Sequence, residues 1–254
     1  MTTGLIYHDV APPETADQIG FPGPVARRYK HTPEQFEQHL DVIAQTGARV
    51  GLLDGSVPEP EVALTFDDGG LGAMQAAASL ESRGWRGHFF IVTDRVGTAG
   101  FMSHDQVREI AERGHLVGSH TRTHPMPMRS LSAAELLDEW ASSRARLSEL
   151  LGQLPAVAAV PGGSLSRDVI DMASQAGYRL LLTSQPLARP RRSGSMEVRG
   201  RYAVWAQTPT QTVAGYVRRD PIVCARAWGW WTTKTVAKRL APRGYERLRH
   251  VRAR

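Results

Sequence analysis

The sequence predicts an α/β fold of βα units around a mostly parallel sheet, and two patterns carry that expectation. Short apolar runs alternate with longer segments of helical periodicity, the order that parallel strands with helical crossovers produce. The residues with chemical potential follow those runs directly: His8, Asp67 and Asp68, His120, and Pro161-Gly162-Gly163. In βα architectures the C-terminal strand ends form the active face. At 254 residues, 41% hydrophobic and 22% charged, the chain can bury one sizeable core and has ordinary globular composition.

Leu5-Ile6-Tyr7 reads as the first strand. A Pro/Gly-rich excursion follows at Phe21-Pro22-Gly23-Pro24. Thr32 then caps a helix with Pro33 at its first position and Gln35 as capping-box partner. Phe36, Leu40 and Ile43 share one face of that helix, and Gly47 stops it. His31 and His39, beside and on this helix, are expected to be solvated. Val62-Ala63-Leu64-Thr65-Phe66 is the second strand, ending at Asp67-Asp68-Gly69-Gly70, with a helix of small residues after it.

His88 to Val92 is the next strand, and Ser103 with Gln106 boxes the following helix up to Gly114. The strand from His115 to Ser119 leads straight into His120. Ser132 and Glu135 open a helix over 132–151, and Val157 to Val160 is a strand ending at Pro161. A helix over 167–175 and a strand over 178–182 come next. The segment 184–200, rich in Pro, Arg, Ser and Gly, reads as a mobile loop.

Charge divides the chain unevenly. Residues 224–254 hold nine Lys/Arg against Glu246 alone, so they supply +8 of a net +6 and the remainder is slightly acidic. The expected organisation is a catalytic domain over 1–223 and a basic, Trp-containing tail over 224–254. Trp228, Trp230 and Trp231 beside Lys and Arg suit an anionic membrane surface, and packing of the same tryptophans on the body is the other reading. A basic tail implies an acidic partner surface, without making the body a nucleic-acid binder. The lone Cys224, an N-terminus without a signal-peptide pattern and the lack of long apolar runs lead us to expect a cytoplasmic protein, with peripheral membrane contact open.

Two elements point to chemistry. Adjacent carboxylates at a strand end point in different directions, so one can bind a cation while the other faces a substrate. In isolation Asp67-Asp68-Gly69 is weak evidence, a surface turn with solvated aspartates being the commoner explanation. His120 and His124, spaced i and i+4, can share one ion in the manner of helical zinc-binding pairs. A carboxylate pair after one strand with a histidine pair after a later one is much harder to dismiss as coincidence than either alone. Met126 and Met128, just beyond, read as apolar wall. His88 and His115 begin strands, away from the reactive end. His104, following a cap, faces solvent or groove. No phosphate-binding glycine loop occurs.

Thr65-Phe66-Asp67-Asp68-Gly69 together with His120-Thr121-Arg122-Thr123-His124 resembles the first two motifs of the polysaccharide deacetylase family, the NodB-like carbohydrate esterases. The similarity extends over roughly residues 4–220. Its leading Tyr7-His8-Asp9-Val10 is similar to the exopolysaccharide and poly-glucosamine deacetylase branch. The resemblance implies a distorted (β/α) barrel of about seven strands that removes N-acetyl groups from a sugar or polysaccharide. It further implies Asp68, His120 and His124 as ligands of one divalent metal ion, with zinc expected, and Asp67 as general base. Pro161-Gly162-Gly163 matches the third motif and puts the oxyanion-binding amide at Gly162.

Three features depart from the family pattern. The arginine that steadies the base aspartate is replaced by Ala159, with Arg167 and Arg122 as possible substitutes. The later aspartate–tryptophan motif is absent, and Thr183-Ser184 lies where it would fall. The late histidine acid is also missing. His8, at the end of the first strand with Asp9 beside it, is the candidate acid, a structural role being its alternative. Two other functions stay open: hydrolysis of a different non-peptide C–N bond, and glycan binding with little catalysis.

Overall fold

A computed structural model describes residues 1–186 and 190–240, the side chains of 237–240 excepted. Seven parallel strands close a barrel: β1 (Thr3–Tyr7), β2 (Val62–Phe66), β3 (His88–Ile91), β4 (Leu116–Ser119), β5 (Val157–Ala159), β6 (Leu180–Thr183) and β7 (Met196–Ala203). Each pairs with its successor in the chain, and β7 returns to β1 with Gly4 opposite Arg201 and Ile6 opposite Ala203. Closure leaves these strands without a free edge. The expected NodB-like barrel is therefore the fold found.

Helices α1 (Pro33–Gln45), α2 (Gly72–Glu81), α3 (His104–Glu112), α4 (Ala133–Leu151), α5 (Arg167–Gln175), α6 (Thr210–Val217) and α7 (Pro221–Leu240) surround the barrel. All three capping boxes form as the sequence predicts, at Thr32/Gln35, Ser103/Gln106 and Ser132/Glu135. In each, a side-chain oxygen takes one of the orphan N–H groups of the first turn. The outward strand residues pack under the helices in two clusters. One joins Leu5, Leu64, Phe66 and Phe89 to α1 and α2 residues, and the other joins Ala158, Leu181 and Val198 to Trp140 of α4 and Val169 of α5. The barrel interior holds a smaller cluster of Phe90, Val157, Ala159, Leu180 and Leu182.

Two expectations need correction. The segment 184–200 is not simply a loop. Arg191–Ser193 pairs antiparallel with β7, and Met196 and Val198 are buried along it. Residues 187–189 lie outside the described part. The Arg- and Gly-rich composition hid the strand because β7 sends an arginine, not an aliphatic residue, into the barrel. His31 and His39 are buried rather than solvated, at 0% and 2% exposure. His39 lies three residues after Phe36, on the same inward stripe, and both rings pack against Tyr7 with centroids 5.1 and 6.0 Å away.

The chain runs on from α6 into α7 without leaving the body. Cys224 is buried in the core, and α7 begins at Pro221, before the expected boundary at residue 224. Residues 241–254, with most of the basic tail, lie outside the described residues. Among the described residues no helix is long and apolar enough to cross a membrane.

Candidate active site

The C-terminal ends of the strands open into a cavity of about 940 Å³, and His8, Asp67, Asp68, His120, His124 and Gly162 all line it. Asp68 follows β2 with φ 81° and Gly69 with φ 79°. A non-glycine residue in this left-handed region costs of order 1–3 kcal/mol and persists only where its surroundings impose it. The turn directs the Asp68 carboxylate at two imidazoles. Its Oδ1 lies 3.5 Å from His120 Nε2 and 3.4 Å from His124 Nε2. One ligand atom from each of the three residues falls within 4.8 Å of the others.

Each histidine is held by its own surroundings. His120 Nδ1 lies 2.9 Å from the Ala159 carbonyl oxygen. A carbonyl only accepts, so Nδ1 carries the proton and Nε2 turns a lone pair toward Asp68, the arrangement metal-binding histidines commonly show. His124 sits against Phe21, with ring centroids 5.0 Å apart. Burial pushes both imidazoles down to about 4, which keeps them neutral at ordinary pH. The pair does not ride a helix, contrary to the sequence-based comparison with helical zinc sites. Residues 120–124 form a loop with positive φ at Thr121 and His124.

Glu139 of α4 shapes that loop. Its carboxylate accepts the N–H groups of Arg122 and Thr123 at 3.0 and 2.9 Å and the Thr123 hydroxyl at 2.7 Å. The sequence offered a signal for this residue: a charge on the buried stripe Leu136, Glu139, Trp140, Ser143 and Leu147. An acid facing a core has a partner to hold.

The larger omission is Arg201. Its guanidinium grips Asp67 in a fork, with Nη1 2.7 Å from Oδ1 and Nη2 2.9 Å from Oδ2, and also reaches the Thr65 hydroxyl at 2.8 Å. Arg201 is 1% exposed, and its guanidinium lies 5.4 Å from the Phe90 ring centroid. It stands on β7 and passes over β1 to reach the end of β2. Gly4 permits the crossing, because a Cβ there would lie 2.7 Å from Arg201 Cγ. Ala159 belongs to the same interior cluster as Phe90, the ring over which the guanidinium stands. The arginine missing at 159 is thus supplied by a different strand. The two candidates named from sequence lie elsewhere: Arg122 pairs with Asp138 and Glu139, and exposed Arg167 pairs with Asp171.

Asp67 is buried, which by itself would raise its carboxyl, but the charges of Arg201 and His120 overcome burial and hold it down at about 2. Asp68, buried beside Asp67, is raised by that burial, against the pull of His8 and His120. His8 enters the cavity from the end of β1. Its ring lies 4.5 Å from Tyr29, and its Nε2 is 4.0 Å from Asp68 Oδ2. Asp9 does not orient it, contrary to the sequence-based reading. Among the described residues His8 Nδ1 has no hydrogen-bond partner, and Asp9 lies instead against the backbone of Gly20, Gly70 and Gly72. Met126 lines the cavity wall, whereas Met128 is fully buried.

The model of the family described as polysaccharide deacetylase matches residues 54–181, half of the chain. The chain belongs to that family. YxkH of Bacillus subtilis, a protein assigned by name to the polysaccharide deacetylases, is 25% identical over 171 residues, covering 63% of this chain and 61% of its own length. An uncharacterised 30.6 kDa protein of Geobacillus stearothermophilus is 28% identical over 133 residues, 51% of this chain and 48% of its own. The match thus spans about half to three fifths of these curated relatives. Among solved structures, IcaB from Ammonifex degensii has a TM-score of 0.69 and 25% identity, over 85% of this chain and 97% of that one. The deacetylase PplD of Streptococcus pyogenes, solved with acetate, shares the fold at a TM-score of 0.67 and 20% identity, over 83% and 95%.

Proposed function

We propose that this protein is a metal-dependent hydrolase that removes N-acetyl groups from the sugar units of a glycan or glycan precursor. One observation carries the reading: a cluster of one carboxylate and two neutral imidazoles stands beside a second carboxylate clamped by arginine, on one cavity. The donors fit a divalent ion. Asp68 Oδ1 is buried without a hydrogen-bond partner and faces two neutral imidazoles, of which His120 turns an unprotonated nitrogen toward it, and such a group is costly to bury unless something binds it. Asp68, His120 and His124 would hold the ion, and zinc suits three N/O ligands with a position left open.

Asp67 takes the proton of the attacking water. Arg201 keeps it ionised at every working pH and fixes its direction, but a carboxylate held near 2 is a weak base. When bound, the ion supplies the acidity such a base requires, by lowering the pKa of water and polarising the acetyl carbonyl. Gly162, on the cavity wall, offers its backbone N–H to the developing oxyanion. His8 delivers a proton to the departing amine. Recovery of the base-steadying arginine at Arg201 favours catalysis over the weak glycan-binding alternative. A cytoplasmic location with peripheral membrane contact through the basic residues 224–254 is part of the same proposal, supported by their charge and by the lone cysteine.

The test is acetate release from a panel of N-acetylated oligosaccharides and sugar precursors, before and after chelation. Turnover that chelator abolishes and a divalent ion restores is expected. A protein carrying stoichiometric metal that frees no acetate from any of them contradicts the proposal.

A further inference from the structure

Between β1 and α1 the chain makes an excursion whose two ends are joined. Asp9 and Val10 pair in parallel with Lys30 and His31, and Ala11 donates its N–H to the His31 carbonyl at 2.8 Å. Lys30 is 7% exposed, and its ammonium donates to the carbonyls of Ala16, Ile19 and Phe21, the last at 2.7 Å. An ammonium has three donors, and all three are used inside the excursion. The tip is fixed on its far side too. Gly20 donates to the Gly100 carbonyl at 2.7 Å, in a left-handed conformation with φ 62° where a Cβ would collide with Asp9.

What these contacts deliver to the cavity is Phe21. Its ring packs against His124 with centroids 5.0 Å apart and planes 34° apart. On its other sides it meets Phe101 in a T-shaped contact at 5.1 Å and the Arg95 guanidinium, 5.4 Å from its centroid. The two imidazoles of the cluster are therefore held by different means. His120 has the Ala159 carbonyl at Nδ1. His124 has the rings of Phe21 and His120 around it, each 5.0 Å away, and no carbonyl or carboxylate among the described residues does for its Nδ1 what Ala159 does for His120. A ligating histidine depends on an outer partner to orient its ring, and loss of that partner typically costs about 10–100-fold in metal affinity. For His124 an aromatic face takes that part.

We infer that Lys30 is a positioning residue for the metal cluster: by gathering the carbonyls of Ala16, Ile19 and Phe21 it holds the Phe21 ring on His124 and so fixes that imidazole for the ion. The inference rests on the metal site of the proposed function and adds to it two residues that supply no ligand. Without the ammonium, three carbonyls of the excursion lose their donor, and the tip relaxes away from His124. Lys30 also lies within electrostatic reach of Asp68, so a direct charge effect is the rival explanation. The two differ in sign. Removing a positive charge near the cluster would by itself strengthen cation binding, whereas releasing Phe21 weakens it.

The experiment measures zinc affinity on the full-length protein by competition with a chromophoric chelator. It takes the wild type, Phe21→Ala, Phe21→Leu, Lys30→Met and a Phe21→Ala, Lys30→Met double variant, with circular dichroism to confirm that each is folded. Phe21→Ala and Lys30→Met should each weaken zinc binding by about 10–100-fold. Phe21→Leu, which keeps apolar bulk but no flat face, should also weaken it, and it supplies the reading if Phe21→Ala does not fold. The double variant should bind no more weakly than the worse single variant, because both changes remove the same contact. Unchanged affinity in the Phe21 variants, or tighter binding in Lys30→Met, overturns the inference and leaves the metal site standing. Losses that add in the double variant overturn the route from Lys30 through Phe21. A folded wild type that binds no zinc overturns the proposed function and this inference with it.

Discussion

The two ends of the barrel carry the same kinds of residue in opposite states. At the N-terminal end, His88 and His115 are buried and fully partnered. The His88 ring donates from Nδ1 to the Leu64 carbonyl at 3.0 Å and accepts the Leu53 N–H at Nε2 at 2.9 Å. His115 accepts the Gly87 N–H at 3.0 Å and reaches Glu81 at 2.9 Å. At the C-terminal end, Asp68 Oδ1 and His8 Nδ1 are buried with no hydrogen-bond partner among the described residues, and Asp68, Thr121 and His124 hold positive φ. Burial is alike at the two ends, so it does not distinguish structure from function. Satisfaction does. The ring nitrogens of His88 and His115 find their partners within the fold, whereas Asp68 Oδ1 and His8 Nδ1, on the cavity, are left without one among the described residues.

The largest effect that would sharpen this contrast comes from Arg201. Arg201→Leu leaves the Asp67 carboxylate buried without its counter-charge, a change that raises its pKa and removes its orientation. Acetate release should fall by roughly 10²-fold or more, and the acid limb of the rate profile should move to higher pH. Arg201→Lys should recover part of the rate. An unshifted pH profile in Arg201→Leu would show that the fork does not tune the base.

His8 should give the next largest effect. A histidine that protonates the leaving amine matters for amides and little for activated esters, whose leaving groups need no proton. His8→Ala should reduce turnover of N-acetyl sugars by about 10²-fold while activated acetate esters lose far less. Equal losses on both substrates would make His8 a structural neighbour of Asp68.

The smallest effect belongs to the opposite end and concerns stability alone. Burial pushes His88 down to about 4, so the unfolded chain binds its proton first as pH falls. His88 therefore contributes stability that is fully present above about 6.5 and is lost as pH falls toward 4, about 3 kcal/mol in all. His88→Gln should flatten the pH dependence of denaturant midpoints across that window and leave metal binding unchanged. Loss of metal in that variant would erase the distinction between the two ends.

Much of this was legible in the sequence, for reasons that also mark where legibility stopped. The capping boxes at Thr32, Ser103 and Ser132 are local, and each was readable from residues three apart. The grouping of Asp67, Asp68, His120 and His8 followed from their places after strands, since a βα barrel brings strand ends together. Arg201 was not readable, because its meaning depends on a crossing over Gly4 that joins β7 to β2 through β1. The polar composition around it imitated a loop. Glu139 was visible as a charge on an apolar stripe, but its partners lie in a loop that only the folded chain brings near. The i, i+4 spacing of the two histidines suggested a helix, whereas a loop with left-handed residues produces the convergence.

The central claim is that Asp68, His120 and His124 form one ion site and that Asp67 stands outside it as the base. Metal content after dialysis against zinc, measured on the wild type, Asp67→Asn and a His120→Ala, His124→Ala double variant, tests it most directly. One ion per chain should remain in the wild type and in Asp67→Asn, with acetate release lost only from the latter, and the folded double variant should retain none. Stoichiometric zinc in the double variant, or its loss from Asp67→Asn alone, would contradict the account.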